Sequence, residues 1–227
     1  MKAGRCFLQT ASVLAVFNIL RASGMLGPSL VSASILTAAL VLTAWSAGAI
    51  RADLGLDARD FGAGLRFGLG AFGLVLLVVT AAAVVPATND FLHDSRAEIE
   101  GGQLFLELVS IVLLTVIPEE FAFRGVLLGS AVRLWGSWRA SVITSGLFGL
   151  WHIAPTLHTM SDNPATNDAS ATLGGQVLVL LGFVAATFVA GLVFCWLRLR
   201  SRSLIAPVLA HIATNGVALS VAWLAVH

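Results

Sequence analysis

Residues 117–129 read IPEEFAFRGVLLG. Two adjacent carboxylates, Glu119 and Glu120, and one cation, Arg124, stand in a run that is otherwise fit for lipid. Ionisable groups in hydrocarbon are costly and mark function. Four positions separate Glu120 from Arg124, so on a helix they lie one above the other and can pair. Glu119 then points about 100° away. It is left free for something other than that ion pair.

The rest of the chain supports a membrane setting. Of 227 residues, 58% are hydrophobic and 11% are charged, against about 25% charged in soluble domains. The fold class expected is all-α, a polytopic bundle of about seven transmembrane helices, each near the ~20 residues a bilayer needs. The segments are 6–20, 29–50, 67–85, 103–131, 140–153, 173–197 and 203–226. The fourth exceeds one straight crossing, which predicts tilt or a kink at Pro118. Arg51–Arg66 reads as an amphipathic linker, and Pro155–Thr172 as a polar loop. Residues 1–102 form N-terminal helices of unassigned role. Residues 103–227 form the core that carries the polar groups, within one integrated membrane domain.

Charge sets the expected orientation. With a cytoplasmic N-terminus, that side holds Lys2, Arg5, Arg51, Arg59, Arg66, Arg133, Arg139, Arg198, Arg200 and Arg202. The other side holds Arg21 and Arg96. This bias predicts an inner or plasma membrane protein with its C-terminus outside. The single lysine and the richness in Ala, Gly, Leu and Val suit a GC-rich bacterial genome. No basic stretch is dense enough for nucleic acid. Cys6 and Cys195 lie far apart in sequence and suit neither a disulfide framework nor a zinc knuckle.

Two further segments carry polar groups with helical spacing. The fifth holds Phe148 and His152, and the seventh holds His211 and Asn215. At ~1.5 Å per residue, Glu119, His152 and His211 lie about 12–20 Å from the arginine-rich ends of their helices. Those depths let them meet in one pocket in the middle or cytoplasmic part of the bilayer. A carboxylate and an imidazole can take the proton of a water as it attacks a carbonyl. A second imidazole and an amide can donate to the oxyanion that forms. No serine or cysteine sits in a nucleophile setting, so water is the simpler nucleophile.

Three motifs in order, EEFAFR, FGLWH and HIATN, resemble the EExxxR, FxxxH and HxxxN/D motifs of the CPBP intramembrane glutamic endopeptidases. That family embraces CAAX prenyl protease, bacteriocin-processing and Abi-like proteins. The resemblance covers residues 103–222, including the proline four residues before His211. It implies hydrolysis of a peptide or membrane-protein substrate within the lipid bilayer, with a catalytic water and no cofactor or metal. It implies Glu119 and His152 as the water-activating pair and His211 and Asn215 as oxyanion donors. Glu120 and Arg124 would be the structural pair, with Phe148 packing beside them. Two other readings stand. One is a non-catalytic protein of the same fold, acting in bacteriocin immunity or partner binding. The other is a zinc hydrolase with Glu119, His152 and His211 as ligands, although no HExxH places two ligands on one helix. A proton-coupled transporter would need repeats, and the chain has none.

Overall fold

The computed structural model describes residues 2–27, 29–85, 95–160, 162 and 164–227, and among these residues there is no strand. The helices are α1 (Ala3–Ala22), α2 (Leu30–Ser46), α3 (Arg51–Leu54), α4 (Phe61–Ala83), α5 (Gly101–Ser110), α6 (Ile117–Glu120) and α7 (Leu128–Trp151). They continue as α8 (Ile153–Thr159), α9 (Pro164–Ala169), α10 (Leu173–Ser201), α11 (Ile205–Ile212) and α12 (Ala218–Val226). Three π-helical turns interrupt this pattern, at Ile111–Val116, Phe121–Leu127 and Ala213–Val217.

Among the described residues, four helical stretches are long and apolar enough to cross a membrane: Ala3–Ala22, Arg51–Ala83, Leu173–Ser201 and Ile205–Val226. The other three expected spans take different forms. α2 has 17 residues. The segment expected over 103–131 runs on as a helix from Gly101, but π turns divide it. Between the fourth and fifth expected spans the chain stays helical, with a break at Gly136, whose φ of 74° suits a residue without a Cβ. The irregularity expected at Pro118 is a pair of π turns on either side of α6. Proline has no amide to donate to Leu114, and the first wide turn ends two residues before it.

Two expected loops carry structure. The linker over 51–66 holds α3 and the start of α4, and Pro155–Thr172 holds most of α8 and all of α9. The polar stretch over 87–102, between the third and fourth expected spans, is described only from Ser95 onward, and His93 lies outside the described residues.

Local chemistry fixes several ends. Ser29 caps α2 by accepting from the Ser32 amide, and Ser32 Oγ accepts from the Ser29 amide in return. Thr172 caps α10 in the same manner through the Gly175 amide. The α1 and α2 helices run antiparallel, since the Lys2 amide donates to the Ala47 carbonyl at 2.7 Å. Their far ends, near Arg21 and Ser32, are therefore remote from the arginine-rich face.

The N-terminal helices share one apolar core with the glutamate segment. Leu14 and Phe17 of α1 and Leu36 and Leu40 of α2 cluster with Ala122, Phe123, Leu127, Phe148 and Trp151. A second cluster joins α10 to α11 through Phe194, Leu197, Ala206 and Ala210. Together they bring the π turns, the end of α7 and the start of the last span to one place.

Candidate active site

α6 is a single α-helical turn between two π turns, and it carries both glutamates. π turns are rare and concentrate at functional sites. Their wider path shifts the rotational register of the residues that follow. Glu120 is fully buried and Arg124 is 1% exposed. Arg124 Nη1 donates to Glu120 Oε1 at 2.9 Å. His211 Nδ1 donates to the same oxygen at 2.8 Å. The guanidinium lies 4.0 Å from the centre of the Phe148 ring and 4.9 Å from that of Phe194. Arg124 Nε and Nη2 have no hydrogen-bond partner, so these aromatic faces are their compensation. A desolvated cation on an aromatic face gains about 2 kcal/mol.

Glu119 has a different environment. Its Oε1 accepts from Trp151 Nε1 at 2.9 Å. Its Oε2 is buried without a partner. The side chain lines a small cavity together with Phe17, Arg21, Ser32, Leu36, Pro118 and Trp151. The cavity measures about 10 Å³, close to what the centre of one water requires. The two neighbouring carboxylates thus have separate partners: Glu120 is tied to two donors, and Glu119 keeps one oxygen open.

His152 lies where α7 ends, and its backbone leads straight into α8. Its Nδ1 is 2.8 Å from the Phe148 carbonyl oxygen. A carbonyl can only accept, so Nδ1 carries a hydrogen, and the neutral form of the ring has its lone pair at Nε2. The ring meets Phe148 edge-on, with centroids 4.5 Å apart. His211 is buried, stacks on Phe194 at 5.2 Å and meets Phe148 edge-on at 6.0 Å. Phe148 therefore touches both imidazoles and the guanidinium. Asn215 sits in the π turn Ala213–Val217 and is half-buried. Its expected α-helical spacing from His211 is replaced by the wider turn, and its amide joins no hydrogen bond among the described residues.

The structure thus joins Glu120, Arg124 and His211 directly and places Phe148 against His152. Glu119 connects to this group through Trp151, the neighbour of His152. Several contributors escaped the sequence reading. Trp151 was visible only as the fourth letter of FGLWH. Phe17, Arg21 and Ser32 come from helices to which no role was given. Their position also alters the expected geometry. The cavity beside Glu119 is walled by the ends of α1 and α2 away from the arginine-rich face, not by the half of the bundle nearest the arginines. Among the described residues, no three His, Cys, Asp or Glu side chains converge as a metal-binding group. His158 is exposed, and Asp162 faces Arg96 at 4.0 Å.

The family model described as type II CAAX prenyl endopeptidase Rce1-like matches residues 101–217. Neither the curated proteins nor the solved structures contain a match to the chain. The matched stretch begins with α5 and ends with the π turn that holds Asn215. It spans both glutamates, Arg124 and both histidines just described. The chain belongs to the Rce1-like family, which makes it a membrane protein of the CAAX-type intramembrane protease class.

Proposed function

We propose that this protein is a metal-independent endopeptidase that hydrolyses a peptide bond of a membrane-associated substrate with a water activated by Glu119 and His152. The observation that carries the reading is the open, buried Oε2 of Glu119 beside a cavity sized for one water, while Glu120 is taken by Arg124 and His211. In this scheme Glu119 accepts a proton as the water oxygen attacks the carbonyl carbon. His152 Nε2 holds the second hydrogen of that water. The developing oxyanion receives the Asn215 amide. It also receives His211 Nε2–H when that ring carries both protons. Collapse breaks the C–N bond, and the proton held by Glu119 passes to the leaving amine. General-base assistance of this kind contributes typically 10²–10⁴-fold.

The test uses purified full-length protein in detergent and a quenched peptide that ends in a prenylated cysteine and three further residues, with its non-prenylated twin. Glu119→Gln and His152→Ala should abolish cleavage, and a chelator should leave it unchanged. Full turnover in both variants would sink the assignment, and loss of turnover with chelator would favour zinc. Cleavage of the twin alone would exclude a prenyl requirement. The arginine asymmetry supports an inner-membrane protein with a cytoplasmic N-terminus.

A further inference from the structure

Trp151 is followed four residues later by Pro155. In a continuing helix the amide at position 155 would serve the Trp151 carbonyl, and proline has none. The orphaned oxygen is instead served from a helix 133 positions earlier in the chain: Asn18 Nδ2 of α1 donates to it at 3.1 Å. The adjacent α1 residue, Phe17, stacks nearly parallel on the Trp151 ring, with 6.3 Å between centroids and 12° between planes. Phe123 closes the ring edge-on at 5.8 Å. The indole held in this way is the one that donates to Glu119 Oε1. The backbone held in this way is the one from which His152 projects.

We infer that α1 aims the Glu119 carboxylate, with Asn18 and Phe17 as positioning residues that act through Trp151. The catalytic half of this inference rests on the reading of Glu119 as the base. Asn18 and Phe17 lie outside the matched residues 101–217, so this device belongs to the N-terminal helices. A plain interhelical hydrogen bond would need no particular target. Here the target is the carbonyl that Pro155 leaves unserved, on the residue whose side chain holds the glutamate. With Oε1 fixed by the indole, Oε2 is the oxygen left free on a carboxylate that lines the cavity. Displacement of a reacting group by about 1 Å can cost 10²-fold in rate.

The experiment follows the indole ¹⁵N–H resonance of Trp151 in full-length, tryptophan-labelled protein in detergent micelles, assigned with Trp151→Phe. Glu119→Gln should displace this resonance. Asn18→Asp, which accepts but cannot donate, and Phe17→Leu should displace it too, and Asn18→Gln should return it towards the native position. On the quenched prenylated peptide, Asn18→Asp should lower kcat about ten- to a hundredfold with little change in KM. A Trp151 resonance unmoved in both Asn18→Asp and Phe17→Leu would overturn the inference, as would a moved resonance with native kcat. If Glu119→Gln cleaves at the native rate, the reading of Glu119 as base fails, and the resonance still decides whether α1 holds the indole.

Discussion

His211 Nδ1 lies 2.8 Å from Glu120 Oε1, the oxygen that also receives Arg124. This contact binds the last span to the glutamate segment across 91 positions of sequence. A carboxylate can only accept, so the proton of this bond sits on His211 Nδ1. A neutral His211 then has a lone pair at Nε2 and cannot donate to an oxyanion. It becomes a donor only as imidazolium, with Glu120 as counter-ion to both cations. Glu120 thereby governs what His211 can do, beyond its expected pairing with Arg124.

Removing Glu120 should therefore be severe. Glu120→Ala leaves the Arg124 charge buried without its acceptor. Breaking one side of a buried pair costs about 3–5 kcal/mol. Thermal unfolding in detergent should show a large fall in midpoint for Glu120→Ala. Glu120→Gln, which keeps an acceptor for both donors, should fall less. Equal midpoints for the two variants would mean that the charge of Glu120 is dispensable to the fold.

Phe148 offers a second test. Its ring carries Arg124 on one face and borders both imidazoles, and its carbonyl fixes the His152 tautomer. Phe148→Ala should cost about 3–5 kcal/mol as a core truncation. Phe148→Leu retains most of the volume and loses the aromatic face. Its midpoint should fall modestly, and its turnover should fall more than its stability predicts. Native turnover in Phe148→Leu would reduce the ring to packing alone.

The sequence disclosed the helical class and the polar groups because both are local signals. Charge in an apolar run stands out, and spacing places Glu120 over Arg124. The π turns were not visible, because they follow from how neighbouring helices and Pro118 accommodate the backbone. The role of α1 was hidden for a related reason. Asn18 is one polar residue within an apolar span, and its significance depends on which residue of a distant helix it faces. The relation between Trp151 and Pro155 was present in the letters, but it acquires meaning only once Asn18 is seen to fill the gap.

Close approach of α4 to α11 depends on glycine. A Cβ on Gly68 would come within 2.7 Å of Leu209 Cδ1 and 3.2 Å of the Ala206 Cα, and one on Gly64 would overlap the Ser203 side chain. α11 carries His211, so α4 sets the depth of that imidazole. Gly68→Ala should cost about 1–3 kcal/mol through overpacking and should lower turnover in proportion to the displacement of α11. Gly70 and Gly73 on the same helix face open space. Gly70→Ala and Gly73→Ala should leave unfolding midpoint and turnover near native. A penalty equal to that of Gly68→Ala would point to lipid contact instead of packing against α11, since helix propensity favours alanine over glycine.

At the arginine-rich end, two arginines hold the N-terminal helices to the matched core in different ways. Arg198 is buried, and its Nη2 donates to the Asp53 carbonyl at 3.1 Å and the Ala52 carbonyl at 3.3 Å. Gly55, with φ of 73°, permits this approach, since a Cβ there would overlap the guanidinium. Arg133 pairs with the Asp53 carboxylate at 2.5 Å but is 46% exposed at its side chain. Exposed pairs contribute about 0–1 kcal/mol, whereas hydrogen bonds from a charged donor contribute about 1.5–3 kcal/mol. Arg198→Met should therefore lower the unfolding midpoint clearly, and Arg133→Met should barely move it. The difference should persist at high salt, which screens the exposed pair and leaves the buried guanidinium untouched. If Arg133→Met were the more damaging substitution, the ion pair, and not the buried guanidinium, would be the tie between the N-terminal helices and the site.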